Sequence, residues 1–226
     1  MRPARLTFLS FGLLLVGSAI APVRAQLAAG APGSDPGPWS MEARAGLVWP
    51  AGVLADFERM AGGTGFGVDY RALPRLGVRV DAGVDFLLGR NAPYPDLLMA
   101  SVPSMTLWNL RIGPVLWLTP PDGSPLVVSV ALLGGATIMD TDDSGIFASA
   151  DGSRDFTHTY PGMDGVVWAG LRVGPQVVVF LSGRARGVFT SRTDTEVFGR
   201  VSSRVDPAGF ASAWVFPLQG GVRVLF

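Results

Sequence analysis

Twelve charged side chains fall at alternate positions within apolar segments: Glu42, Arg44, Asp69, Arg71, Arg79, Asp81, Asp85, Arg111, Arg172, Arg184, Arg186 and Arg223. Guanidinium and carboxylate groups pair bidentately, so residues of these types on one face can neutralise one another as an ion-pair network. That structural reading is the one we favour. Eight arginines against four acids leave a surplus, and a sharper reading puts Arg111, Arg184 and Arg186 around a bound anion or an anion-selective constriction. The only histidine, His158, lies in Phe156-Thr157-His158-Thr159-Tyr160, with Ser153, Asp155 and Asp164 as candidate partners. A serine nucleophile needs a histidine in hydrogen-bond reach and a group that orients it. No His-x-Ser or nucleophile elbow supplies that here, so a solvated loop histidine and no catalytic residue are expected. Asp140-Thr141-Asp142-Asp143-Ser144-Gly145 offers oxygen ligands of the kind calcium takes, but lacks the offsets and closing glutamate of an EF-hand. No metal or cofactor is expected.

The elements that must position these residues are strands. Eight segments alternate apolar and polar or small residues, each near the length of a tilted membrane strand: Ser40–Trp49, Gly65–Ala72, Leu76–Leu87, Thr106–Leu118, Leu126–Ile138, Val166–Val173, Val177–Phe189 and about Ala211–Phe226. The fifth reads as apolar on both faces, and Gly113-Pro114 reads as a bulge in the fourth. Links at 73–75, 119–125 and 174–176 are short. Those at about 50–64, 88–105, 139–165 and 190–210 are long and polar. That alternation predicts an all-β, eight-stranded antiparallel up-and-down transmembrane barrel with short periplasmic turns and long outer loops. Trp49, Phe66, Phe86, Trp108, Phe189, Trp214 and Phe216 cluster near the long-link ends, with Tyr70 and Phe226 opposite, as interfacial aromatic belts do. Gly183, Ala185 and Gly187 would form a small-residue patch on the outward face.

All 18 basic residues are arginine, there is no cysteine, and the formal charge is zero. With Arg2, Arg5 and Arg24 in the leader, the remainder is mildly acidic, which argues against nucleic-acid binding. Arg2 and Arg5, the apolar run from Leu6 to Ile20 and Val23-Arg24-Ala25 predict a signal peptide over 1–25, cleaved after Ala25. Residues 26–38 read as a flexible periplasmic leader, and 39–226 as one barrel domain. Export to a bacterial outer membrane follows.

The segments AGLVWP (45–50), GFGVDYRALPRLGVRVDAGVDF (65–86), NLRIGP (109–114) and PLQGGVRVLF (217–226) resemble the outer-membrane β-barrel domain family, the small OmpA/OmpX-type barrels. The resemblance covers most of 39–226, without a peptidoglycan-binding domain. It implies a side-chain-filled interior and exposed outer loops, and it fixes no single activity. Outer-membrane lipid and lipopolysaccharide are the expected surroundings. The closing strand, with Val222, Val224 and terminal Phe226, would carry the insertion signal for the barrel-assembly machinery. A monomer is expected, with a surface ligand unidentified. Three function classes follow: a non-enzymatic envelope or surface-binding barrel, a narrow anion-preferring pore or small-ligand carrier, and a lipid-modifying enzyme using His158.

Overall fold

The computed structural model describes residues 37–52, 54–89, 104–119, 124–141, 156–189 and 212–226. The elements run β1 (Trp39–Gly52), α1 (Leu54–Phe57), β2 (Glu58–Arg59), β3 (Ala61–Arg71), β4 (Leu76–Gly89), β5 (Met105–Trp117), β6 (Leu126–Thr141), β7 (Phe156–Arg172), β8 (Val177–Phe189) and β9 (Ser212–Leu225). Every strand of the wall pairs antiparallel with its sequence neighbour, and β9 returns to β1 over Ser40↔Leu225 to Gly52↔Ala213. The ring is therefore closed: eight long strands, with β2 attached to the end of β4. Closure leaves the eight-stranded wall without an unpaired edge.

Alternation decides the two faces. Outward residues such as Leu110, Ile112, Val167 and Leu171 stay more than half exposed, while Asn109, Arg111, Val166 and Trp168 are buried. A soluble protein would not display so large an apolar surface. The links alternate short and long, so the ring has a turn end, with links at 72–75, 118–125 and 173–176, and a long-link end.

Several expectations need correcting. β7 begins at Phe156, ten residues before the expected Val166, and pairs with β6 as far as Thr141. His158 is therefore a strand residue opposite Met139, and Asp164 belongs to the wall. The segment 50–64 holds α1, β2 and the first residues of β3. β6 is not apolar on both faces, since Ser129 and Thr137 are buried inside. The register of β5 on β6 is the same on either side of Gly113-Pro114, Ile112↔Gly134 and Val115↔Ala131, so no bulge intervenes. The signal segment and leader up to residue 36 lie outside the described residues. So do Ser153, Asp155 and residues 142–145 of the acidic run, together with most of the long links.

Close approach of neighbouring strands depends on glycine at several seams, among them β3–β4, where a Cβ on Gly77 would run into the carbonyl oxygen of Tyr70. A Cβ on Gly46 would run into the carbonyl oxygen of Leu218, and one on Gly221 into that of Ala43, both at the β1–β9 seam. Gly113 and Gly135 stand in the same relation to Leu132 and Leu110 at the β5–β6 seam. The β1–β9 and β5–β6 seams lie opposite each other in the ring. Gly46→Ala is expected to cost about 1–3 kcal/mol. Gly183→Ala, whose Cβ would meet nothing within 4 Å, should change stability by less than about 0.5 kcal/mol. Urea unfolding in lipid vesicles compares the two.

Inside, three layers stack along the axis. At the turn end Val115, Trp117, Val127, Trp168, Val178, Phe180 and Leu225 form an apolar layer. At the long-link end a second apolar layer includes Val48, Leu54, Leu87, Leu107, Met139 and Tyr160. Between them lies the charged layer. On β2, a link segment beside the last two residues of β4, burial pushes the Glu58 carboxyl up to about 8 from its ordinary 4.5. The folded state then retains a proton that the unfolded chain releases, and stability falls as pH rises between those values. Glu58→Gln should therefore be neutral near pH 4.5, increasingly stabilising toward pH 8 and level above it. Urea midpoints across this range test that, and a gain independent of pH would contradict it.

Candidate functional site

The charged layer draws a side chain from every wall strand. Glu42 on β1 accepts from Arg223 (Nη2, 2.6 Å), from Arg44 (Nη1, 3.3 Å) and from Arg79. Asp81 on β4 accepts from Arg44 (Nη2, 2.6 Å), from both terminal nitrogens of Arg184 (2.9 and 3.0 Å) and from Arg79 (Nε, 3.2 Å). Asp164 on β7 accepts from Arg186 (Nη2, 2.8 Å) and Arg111 (Nε, 3.2 Å). Asp85 pairs with Arg186 and takes a bond from Asn109 (Nδ2, 3.2 Å). Asp69 accepts a hydrogen bond from Ser40 (Oγ, 3.1 Å) and forms ion pairs with Arg223 (Nη2, 3.1 Å) and Arg79 (Nη1, 3.4 Å).

All of these side chains are buried. Several further donors are taken up locally, whereas Arg184 Nε has no hydrogen-bond partner among the described residues. Arg44 Nε donates to Gln219 at 2.9 Å, and Arg111 donates to Thr137 and the carbonyl of Ala136. The Arg223 guanidinium also lies 3.9 Å over the Trp168 ring, a cation–π contact that ties the charged layer to the apolar layer below it.

Local sequence makes room for this. The inward residues at the long-link end of β3 are Gly63, Gly65 and Gly67, and β7 places Gly162 inward. A Cβ at Gly65 would collide with the Arg44 guanidinium, at Gly67 with that of Arg79, and at Gly162 with that of Arg111. These glycines are the seats of the arginine heads.

The arrangement differs from the sequence expectation in its charge balance. Arg71 and Arg172 are inward by parity, but they sit half-buried at the turn end, away from the central layer. Arg172 donates to the turn carbonyls of Pro175 (2.6 Å) and Ser124 (3.4 Å). Asp164, assigned to a loop by sequence, adds a fifth carboxylate. Six arginines thus face five acids in the layer, and each of the six lies in an ion pair. Arg111, Arg184 and Arg186, expected to hold surplus charge, are all engaged with Asp81, Asp85 or Asp164. The signal that could have placed Asp164 is the alternation Tyr160, Gly162, Asp164, Val166, Trp168, continuous with the inward face of β7. On the closing strand Val222 faces outward while Val224 is almost buried, and Phe226 donates its backbone N–H to Trp39 at 2.9 Å.

The fold is that of the small outer-membrane β-barrels. Among solved structures, the chain is similar to Neisserial surface protein A (NspA), with a TM-score of 0.54 and 17% identity over 83% of this chain and 97% of that one. It is also similar to the outer membrane protein OprG from Pseudomonas aeruginosa, with a TM-score of 0.50 and 10% identity over 86% of this chain and 98% of that one. No protein-family model matches the sequence, and no curated protein does.

Removing one member of a buried pair strands its partners. Asp164→Asn leaves Arg186 and Arg111 under-compensated and is expected to lose about 3–5 kcal/mol of stability. Asp140→Asn, exposed and bonded only to Thr157 among the described residues, should stay within about 0.5 kcal/mol. Urea titration of both variants in vesicles would also settle which of the two acids is structural.

Proposed function

We propose that this protein is a non-enzymatic barrel of the bacterial outer membrane. Its wall supplies a stable frame, and its long links serve envelope integrity or the binding of a surface partner. The observation that carries this reading is the interior itself. A charged layer whose arginines all lie in ion pairs, with apolar layers above and below, supports a filled interior, in keeping with the narrow bore of an eight-stranded barrel. The apolar outer wall fits outer-membrane lipid, with lipopolysaccharide around the long-link end. On this reading the turn end faces the periplasm, the chain is exported by its leader, and assembly machinery inserts it as a monomer. An enzymatic role gains no support, because Asp164, one candidate partner of His158, is held by Arg186 and Arg111.

The protein reconstituted in a planar bilayer is expected to be electrically silent. Discrete conductance steps that vanish in Arg184→Gln/Arg186→Gln would overturn this and establish the narrow anion-preferring pore instead.

A further inference from the structure

A guanidinium keeps its charge and offers N–H donors from all three nitrogens, so a nitrogen left without an acceptor marks a place where an anion can sit. In the charged layer, every guanidinium nitrogen of Arg44, Arg79 and Arg186 faces an acceptor in another side chain. Arg111 is filled likewise by Asp164, Thr137 and the carbonyl of Ala136. Two nitrogens are left. Arg184 Nε is enclosed within the layer. Arg223 commits Nε and Nη2 to Glu42, and Nη2 also to Asp69, so its Nη1 donates to no described residue. That Nη1 is not one of the enclosed unpartnered atoms, and it therefore keeps open space beside it.

The open space is a cleft at the turn end. It holds about 350 Å³ out to its mouth, and Trp117, Val127, Val178 and Leu225 of the turn-end apolar layer line it together with Arg223 and Arg71. Arg223 is itself only 1% exposed. Arg71, the last residue of β3, brings a second guanidinium to the rim. The charge balance points to the same place. Six arginines and five carboxylates leave the layer one positive charge in surplus. Among the described residues, Arg223 Nη1 is the one guanidinium nitrogen of the layer that is both unpartnered and open.

We propose that the turn-end cleft binds a small monocarboxylate with a flat or short apolar body. The carboxylate accepts from Arg223 Nη1 within the field of Arg71, and the body lies toward the mouth against Trp117 and the aliphatic side chains. Ligand pockets begin at about 300 Å³, so a cleft of this size takes a compact molecule and no larger one. The anion-holding role that the sequence suggests for Arg111, Arg184 and Arg186 passes to Arg223 and Arg71. The site stands at the opposite end of the wall from the long links, and it is independent of the role proposed for them.

The test uses the chain from residue 26 onward, folded in lipid nanodiscs at neutral pH, with 4-fluorobenzoate as the probe and fluorine NMR line broadening as the readout. Saturable binding of one probe per barrel is expected. 4-Fluorobenzyl alcohol has the same shape without the charge and should bind at least about tenfold more weakly, because a hydrogen bond between charged groups is lost. Arg71→Gln should weaken binding of the acid by about threefold. Arg59→Gln, exposed on β2 beside the long-link end of β4, should leave it unchanged. Arg223→Gln, checked for folding by its heat-dependent gel shift, should abolish saturable binding. An absence of saturable binding by the parent chain would overturn the proposal. So would an alcohol that binds as tightly as the acid, or an Arg71→Gln affinity equal to the parent's. Weakened binding in Arg59→Gln would put the probe at the wrong end and overturn it as well. The comparison of acid with alcohol and the two rim variants decide the matter even if Arg223→Gln does not fold.

Discussion

Two ion pairs cross the whole width of the barrel, Arg184 to Asp81 and Arg186 to Asp85, both from β8 to β4. These strands stand opposite each other in the ring. A charge on the outer wall would face hydrocarbon at a cost of several kcal/mol near the bilayer midplane. Charged residues of the membrane-spanning strands must therefore point inward, and once inside a narrow bore they must neutralise one another. Arginine suits the task, since its planar fork engages two or three carboxylates at once and does not lose its proton. The glycine seats, the neutral polar groups of Asn109, Thr137 and Gln219, and the stacking of Arg223 on Trp168 all serve that central layer.

Much of this was legible in the sequence because a strand writes its two faces with a period of two. Met41 to Trp49 against Glu42 and Arg44, or Val78 to Phe86 against Arg79, Asp81 and Asp85, fixes both strand and facing. Height along the barrel is another matter. Parity puts Arg71 and Arg172 inside, but they are the last residues of β3 and β7, and only the register shows that they reach the rim and not the middle. The start of β7 was obscured by Pro161, Gly162, Asp164 and Gly165, a composition that locally favours a turn. Pairing with β6, sixteen residues long, overrides that preference.

The burial of Leu54 and the glycine seams were illegible for a different reason. Leu54 sits in a short stretch without periodicity, and it is buried among side chains of seven wall strands. Gly46, Gly113, Gly135 and Gly221 look like ordinary weak points of a strand until the neighbouring backbone is in place. Each is a relation between two strands, invisible to either alone.

The span of the ion pairs bears on how such a wall can enter a bilayer. Glu42 meets an arginine 181 residues away, and Asp81 and Asp85 meet partners 103 and 101 residues away. A sheet of β1 to β4 alone would carry Asp85 with no arginine partner, and Glu42 and Asp81 with Arg44 and Arg79 only. Asp85 gains its arginine, and Glu42 and Asp81 the remainder of theirs, only when the last strands arrive and the ring shuts. The pairing of the charged layer is thereby completed by the same contacts that close the ring.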